Sequence, residues 1–255
     1  MDIILYNILV AILLVIIGYL FGSIPNGIWI GKLFFHKDPR DFGSGNSGGT
    51  NVGRVFGKKI GVLCIALDSF KIIAPFVAAW AVLTFAPMYN GLPLVPSVWA
   101  KIKNPDTSAY LIQWPIYYMV MVGCSFGHCW PIFAGFKGGK NVSSFIGFGF
   151  VSSWLFGVIP ACLFLVILKW KKMVSLASIT ISWIASLLTW IWTILLLTGA
   201  VPYTYSWIPG YYMMLEFGYV HSIIVTFAAT ILTLRHSSNI KRIKAGTERK
   251  ITWMK

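Results

Sequence analysis

Acidic residues are scarce in this sequence. Only 7 Asp and Glu occur among 255 residues, against 21 Lys and Arg. Because the acidic residues are scattered singly, the aspartate-rich metal motif that an alcohol phosphotransferase of lipid head groups would need is missing. We therefore expect neither a metal site nor another cofactor.

Cysteines are few and are not arranged in pairs. The four of them, Cys64, Cys124, Cys129 and Cys162, lie in or beside apolar runs, and no two form a Cys-x-x-Cys pair. This pattern predicts neither a disulfide framework nor a zinc site. We interpret the four as small buried hydrophobic residues.

Charged residues of either sign are also few, and long apolar runs take their place. They make up 11% of the chain, against 57% hydrophobic residues, and the mean hydropathy is +0.76. A soluble domain of this size cannot bury so much apolar surface. We predict an all-α polytopic membrane protein, because helices satisfy their own backbone in lipid and the alternation of a β-barrel is absent.

The apolar runs set the number of spans. They fall at about 3–31, 60–87, 113–134, 142–168, 175–198 and 218–234. No Lys or Arg precedes the first run, unlike in a secretory signal, so we predict that residues 3–30 form one retained span with Met1 outside. Six spans would then place the basic tail 235–255 outside, against the bias of basic residues toward the cytoplasm.

A split of the run 142–168 into two short helices removes this conflict. Ser152-Ser153, Gly157 and Pro160 are suitable places for the break. All Lys and Arg then lie inside, except Lys71, Lys101 and Lys103. We predict seven transmembrane helices, some of them short, with the N-terminus outside and the C-terminus cytoplasmic. A single long tilted helix with the whole protein inverted is the alternative, but it places the basic loop 32–59 outside.

The stretch GSGNSGGTNVGR, residues 43–54, is strongly polar for such a chain. Its glycines allow the backbone to approach an anion and to turn N–H groups toward it. Ser44, Asn46, Thr50 and Asn51 add side-chain donors, and Arg54 offers a planar fork suited to phosphate. We predict a phosphate site here, although the Walker A pattern is absent. A flexible linker is the alternative.

Two further polar segments are predicted on the same face. In GHCWPIFAGFKGGKN, residues 127–141, we interpret Lys137 to Lys140 as a second small anion nest, with Lys140 as a point charge. In LRHSSNIKRIKAGTERK, residues 234–250, the side chains of His236, Asn239 and Arg242 share one face if the last helix continues. A solvated basic tail is the alternative for this segment.

Several polar residues lie within the apolar runs themselves. Asp68 and Lys71 are spaced for an ion pair, which we prefer over direct participation in a site, since unpaired charges are costly in lipid. For His128 we prefer a structural hydrogen bond over catalysis. Ser175 and Ser178 are predicted to lie on the inner face.

The sequence also contains the spacing H-x-x-x-x-D, at His36 and Asp41. This spacing is found in acyl-CoA-dependent glycerolipid acyltransferases, where His is the general base. We interpret it as coincidence, because the Pro-Glu-Gly-Thr-Arg stretch of those enzymes is missing. An anion transporter is a further alternative, but transporters usually carry repeats and place polar sites at the bilayer midplane.

Six segments, in order along the chain, resemble the acyl-phosphate-dependent glycerol-3-phosphate acyltransferase family (PlsY) of bacterial membrane enzymes. They are FGSIP (21–25), GSGNSGGTNVGR (43–54), LDSFK (67–71), GHCWPIFAGFKGGK (127–140), VSLAS (174–178) and HSSNIKR with GTERK (236–250). The resemblance implies one integral acyltransferase domain over residues 1–255, in the plasma membrane, with seven helices and a cytoplasmic active site. It implies acyl transfer from acyl phosphate to glycerol 3-phosphate, giving lysophosphatidic acid and phosphate. Membrane lipid surrounds such a protein, and no nucleic acid partner is expected.

The resemblance and the residue analysis together give a set of site residues. As catalytic residues the resemblance implies Ser44, Arg54, Lys140, His236 and Asn239. Phosphate binding is assigned to Gly43, Gly45, Asn46, Thr50, Asn51, Gly138, Gly139 and Arg242, and a supporting role to Asp68, Lys71, His128 and Ser175. The chain departs from the usual family pattern at Gly49, at Asn141 (usually Gly) and at Ser143-Ser144, which puts the fine positioning of the site in question.

Overall fold

The computed structural model describes residues 3–85, 88–89, 92–93, 98–102, 110–114, 116–152, 154–198, 200 and 219–251. Its helices are α1 (Ile3–Gly22), α2 (Asn26–Phe35), α3 (Gly49–Phe56), α4 (Lys58–Phe85), α5 (Met119–Cys129), α6 (Val142–Ser152), α7 (Trp154–Lys171), α8 (Val174–Leu197), α9 (Tyr219–Arg235) and α10 (Ser237–Lys244). The apolar runs are therefore helical, as predicted. Much of the predicted outer loops 88–112 and 198–217 lies outside the described residues.

Two short hairpins add β-structure to this helical framework. Strand Met88–Tyr89 pairs with Leu92–Pro93, and strand Val98–Ile102 pairs with Tyr110–Trp114, both antiparallel. They belong to the connection between α4 and α5.

The first apolar run contains a helix break that was not predicted, although residues Ile8–Phe35 still form one candidate membrane span. The run divides into α1 and α2 around Ser23–Pro25, because Pro25 has no backbone N–H and cannot continue the helix. The break leaves the carbonyl oxygen of Ile24 outside any helix, where Lys71 of α4 donates a hydrogen bond to it at 2.8 Å.

The predicted division of the run 142–168 is confirmed. α6 ends at Ser152 and α7 begins at Trp154. Gly149 and Gly157 let the two helices approach closely, since a Cβ on Gly157 would lie 2.6 Å from a ring carbon of Phe150. Pro160 lies inside α7 and does not end it. The total of seven spans and the orientation of the termini stay predictions.

Within the described ranges, four helical segments are long and apolar enough to cross a membrane: the α1–α2 region, α4, the segment around α5, and α8. Close packing of α1 on α5 holds the centre together, because a Cβ on Gly123 would lie 2.0 Å from the carbonyl oxygen of Val15. Phe76, Tyr117, Tyr118 and Phe148 form an aromatic cluster beside this contact. The helix ends that carry the polar loops are thereby fixed relative to one another.

Candidate active site

The predicted polar segments meet in one cavity of about 530 Å³. Its walls include most of the predicted site residues: Gly43, Ser44, Asn46, Thr50, Asn51, Arg54, His128, Lys140, Ser175, His236, Asn239 and Arg242. Gly45, Gly138, Gly139, Asp68 and Lys71 are not part of its wall. Gly43 and Arg242, which lie 199 positions apart in the sequence, thus face a common space.

The first glycine loop is shaped by the side chain of Asn51. Its Nδ2 donates to the carbonyl oxygens of Pro39, Phe42 and Asn46 at 2.8, 3.1 and 2.8 Å. Its Oδ1 accepts the N–H of Ser44 at 2.7 Å. These contacts use both amide hydrogens within the loop, so we revise the predicted role of Asn51 from phosphate ligand to loop support.

Gly43 is required by this same arrangement. Its φ is +63°, and a Cβ there would lie 2.3 Å from Oδ1 of Asn51. The N–H of Gly45 donates to Phe42, and the N–H of Gly48 donates to the side chain of Asn46. The backbone N–H groups of Ser44, Gly45 and Gly48 are therefore used inside the loop. Arg54 follows on α3, and its cationic side chain lines the cavity.

The second loop places Lys140 against the last helix. Its Nζ donates to Oδ1 of Asn239 at 2.5 Å. Burial, and after it the positive charge of Arg242, lowers the pKa of Lys140 to about 8. Lys140 is thus held as a cation whose proton is less firmly bound than that of a solvated lysine.

In the predicted anion nest of this loop, the N–H of Gly139 is already used by the protein. The N–H of Gly139 donates to the carbonyl oxygen of His128 at 2.9 Å, and a Cβ on Gly139 would lie 2.0 Å from Nε2 of His128. Gly139 therefore serves close packing on His128. The hydrogen bond from Gly139 uses the backbone of His128, whereas Nδ1 of its ring is buried with no hydrogen-bond partner among the described residues. The structural hydrogen bond preferred for this side chain therefore stays a prediction.

Asn141 occupies a backbone conformation that explains its departure from the family pattern. Its φ is +66°, in the left-handed region where Gly is most common and Asn is the best-tolerated side chain. Its Nδ2 donates to Ser125 of α5 and to the carbonyl oxygen of Ala228 of α9. The side chain thus fastens the residue after Lys140 to two helices.

The last helix does not continue without interruption. α9 ends at Arg235 and α10 begins at Ser237, with His236 at the junction. His236 shares a hydrogen bond between Nδ1 and the carbonyl oxygen of Leu232 at 2.8 Å. A carbonyl can only accept, so Nδ1 carries the proton and Nε2 is the acceptor of the neutral ring. Burial lowers the pKa of His236 to about 4, which keeps this ring neutral near pH 7.

Glu248 is a buried carboxylate in the cavity wall that the set of site residues did not include. Ser175 Oγ and Asn239 Nδ2 donate to its Oε1 at 2.6 and 2.7 Å, and Arg242 Nε donates to its Oε2 at 2.8 Å. Burial raises the pKa of Glu248, but these three hydrogen bonds outweigh burial and hold it below the ordinary value. The scarcity of acidic residues was the signal that could have drawn attention to it.

Asp68 and Lys71 form the predicted ion pair, at 3.1 Å and fully buried. Asp68 also accepts a hydrogen bond from Asn26 at the start of α2. With His128, Gly138 and Gly139 they line a separate small cavity behind the main one. Asp68 and Lys71 are thus placed to support the loops, and they do not line the main cavity.

The H-x-x-x-x-D residues lie elsewhere. His36 ends α2 with a φ of +53°, and both His36 and Asp41 are exposed. Asp38 pairs with Arg40, and the side-chain hydrogen bond from Arg40 lowers the pKa of Asp38. None of these residues lines the main cavity.

Fold and site together describe a helical membrane protein with a cation-rich cavity beside its glycine loops. The sequence profile of a family described as glycerol-3-phosphate acyltransferase matches residues 12–246. The glycerol-3-phosphate acyltransferase of Enterococcus faecalis is 35% identical over 242 residues, covering 95% of this chain and 92% of the relative. That of Listeria monocytogenes serotype 4a is 34% identical over 246 residues, covering 95% and 98%.

Solved structures give the same result. The crystal structure of PlsY (YgiH), an integral membrane glycerol 3-phosphate acyltransferase, in its glycerol 3-phosphate form is 30% identical to this chain. The two match with a TM-score of 0.68, over 95% of this chain and 96% of that one. The lysophosphatidic acid form matches with a TM-score of 0.66. The chain belongs to the glycerol-3-phosphate acyltransferase family.

Proposed function

We propose that this protein transfers the acyl group of an acyl phosphate to glycerol 3-phosphate, in the first acylation step of phospholipid synthesis. The products are lysophosphatidic acid and inorganic phosphate. The observation that carries the proposal is the single cavity in which Arg54, Lys140 and Arg242 converge. Arg235 and Arg249 also lie on its wall. Both substrates carry a phosphate, and several cations at one site provide for two such groups.

An apolar groove continues from the polar cavity and supports a lipid-like substrate. It has a volume of about 200 Å³ and lies between α6, α7 and α8. Val142, Ile146, Phe164 and Ser178 line both spaces. An acyl chain in the groove would therefore bring its carbonyl end to the boundary with the cations, where glycerol 3-phosphate binds.

The chemical step needs positioning more than a strong base. The glycerol hydroxyl attacks the acyl carbonyl, a new ester C–O bond forms, and the C–O bond to phosphate breaks with its electron pair leaving on phosphate. In this proposal, Arg54, Lys140 and Arg242 offset the negative charge on the phosphates and on the carbonyl oxygen. Ser44 and Asn239 hold the same groups by hydrogen bonds.

The proton of the glycerol hydroxyl goes to the phosphate group of the substrate. A phosphate ester has a second pKa of about 6 and can accept it. Glu248 is a poor base, because three hydrogen bonds already hold it in the ionised form. The neutral ring of His236 can accept a hydrogen bond from the hydroxyl at Nε2, which orients the nucleophile.

We further propose that the cavity opens toward the cytoplasm and that the protein lies in the plasma membrane. The loops and tail around the cavity carry most of the basic residues of the chain, and basic segments favour the cytoplasmic side. Glycerol 3-phosphate is a soluble anion and would reach the cavity from that side.

The test uses purified protein with labelled glycerol 3-phosphate and either acyl phosphate or acyl-CoA as the donor. We expect labelled lysophosphatidic acid with acyl phosphate, together with one phosphate released per product, and none with acyl-CoA. A Lys140→Ala variant is the control for catalysis by this site. Product formation from acyl-CoA alone would contradict the proposed donor, although not the acceptor.

A further inference from the structure

Arg235 contacts the second glycine loop from the end of α9. Its Nε donates to the carbonyl oxygen of Gly139 at 3.2 Å, and its Nη2 donates to the carbonyl oxygen of Gly138 at 3.3 Å. The guanidinium carbon lies 5.2 Å from the centre of the Trp130 ring, over the ring. One planar group thus holds two successive peptide units and is itself placed by an aromatic face.

These two peptide units immediately precede Lys140. Their other sides are fixed by His128, whose carbonyl oxygen accepts the N–H of Gly139 and whose ring fills the space where a Cβ of Gly139 would lie. Besides Arg235, only a 3.5 Å hydrogen bond from the side chain of Asn46 is seen at the carbonyl oxygen of Gly138. Arg235 is therefore the main donor on this side of the loop, among the residues described by the structure.

These contacts connect α9, the second glycine loop and α10 in a closed series. Arg235 links α9 to the loop, Lys140 extends from the loop to Asn239, and Asn239 lies on α10 directly beyond α9. The position of the Lys140 amine is thus set at both ends, by its backbone and by its hydrogen-bond partner. A lysine at position 235 would keep the charge but lose the fork that reaches both carbonyl groups.

We propose that Arg235 is a positioning residue that holds Lys140 in place for substrate phosphate, rather than a ligand of the substrate itself. This inference rests on the proposed role of Lys140 in the cavity. Arg235 could not be singled out from sequence alone, because its partners are backbone oxygens about 97 positions away.

The first test measures the Kd of glycerol 3-phosphate by calorimetry, with no acyl donor present. We expect Arg235→Gln and Arg235→Lys both to weaken binding about tenfold, within the range of coupling between contacting residues. Lys241→Gln is the matched control, because it removes one exposed cation from the neighbouring α10 and should leave Kd unchanged. If Arg235→Lys binds as tightly as wild type, the fork is unnecessary and the proposal is wrong.

A double-mutant cycle separates positioning from direct contact. If Arg235 acts through Lys140, Arg235→Gln has no further effect on Kd in a Lys140→Ala background. Additive losses would mean that Arg235 contacts the phosphate independently, which would overturn the proposal.

A second readout needs neither substrate. The rate at which an amine reagent labels Lys140, followed by peptide mapping over a range of pH, reports the pKa of this amine. Release of the loop exposes Lys140, so both Arg235 variants are expected to raise that pKa from about 8 toward the ordinary lysine value. An unchanged profile in Arg235→Lys refutes the proposal, even if the wild-type protein proves inactive with acyl phosphate or fails to bind glycerol 3-phosphate.

Discussion

Replacement of Glu248 by Gln tests the polar network that shapes the cavity. The substitution keeps the size of the side chain and one oxygen acceptor for Ser175 and Asn239, but it removes the charge. It also turns an NH2 group toward Nε of Arg242, which at present donates to the carboxylate. All three contacts are thus weakened by one change.

The expected loss of stability follows from these contacts. Hydrogen bonds to a charged group contribute roughly 1.5–3 kcal/mol and neutral ones about 1 kcal/mol. The bonds from Ser175 and Asn239 should each lose about 1 kcal/mol. The bond from Arg242 should lose no more than that, because its side chain is 39% exposed and water can replace the carboxylate. The total is about 3 kcal/mol, or a decrease in Tm of about 6–12 °C.

Two assays check this prediction, namely thermal unfolding over a range of pH and the pH dependence of activity. The folded-state pKa of Glu248 lies below its ordinary value, so wild-type stability is fully present above the unfolded pKa and is lost as pH falls through the folded one. Glu248→Gln should lack this loss. Since Glu248 also raises the pKa of Lys140, the alkaline limit of activity should move to lower pH in the variant. If neither Tm nor the alkaline limit changes, the network does not work as described.

Three further outcomes are expected. Lys140→Ala and Arg54→Ala should each abolish turnover in the acyl-transfer assay, whereas His36→Ala should retain most of it. The reverse result would favour His36 as a general base, as in the acyl-CoA-dependent acyltransferases. Asn51→Ala should disorder the first glycine loop and thereby inactivate the enzyme, with a higher KM for glycerol 3-phosphate and a lower Tm. An effect on kcat alone would contradict a structural role. In the wild type, kcat/KM should decrease as pH rises through about 8, where Lys140 loses its proton in the free enzyme; an activity that stays constant up to pH 10 would exclude a required cation at Lys140.

The helical framework was predictable because it depends on hydropathy and charge alone. The split between α6 and α7 is an example: it followed from the need to place basic residues on one side of the membrane, and the helices indeed separate at Ser152 and Trp154. The break at Pro25 was missed because the apolar run continues through it without a charge. Pro25 itself was the available signal for the break, and the hydrogen bond from Lys71 satisfies the carbonyl oxygen of Ile24 that the break leaves.

The composition of the cavity was predictable from motif order, whereas the division of roles within it was not. Asn51 and Arg54 lie three positions apart in one polar motif and both line the cavity, yet the side-chain amide of Asn51 is bonded within the loop. Sequence shows which donors a segment contains, but not which of them the segment uses internally. Arg235 was missed because its partners, the carbonyl oxygens of Gly139 and Gly138, lie 96 and 97 positions away. Glu248 was not included because one of its partners, Ser175, lies 73 positions away.

The hydrogen bonds of the two glycine loops change the expected mode of anion recognition. The N–H groups of Ser44, Gly45, Gly48 and Gly139 all donate to groups of the protein, so these amides are not available to a phosphate. We therefore expect side chains to contribute more to anion recognition than the sequence suggested, and the glycines also act indirectly by allowing Asn51 and His128 to pack against the backbone. Gly139→Ala is therefore expected to weaken substrate binding by displacing Lys140. Its effect on affinity should resemble that of Lys140→Ala rather than the loss of one backbone donor.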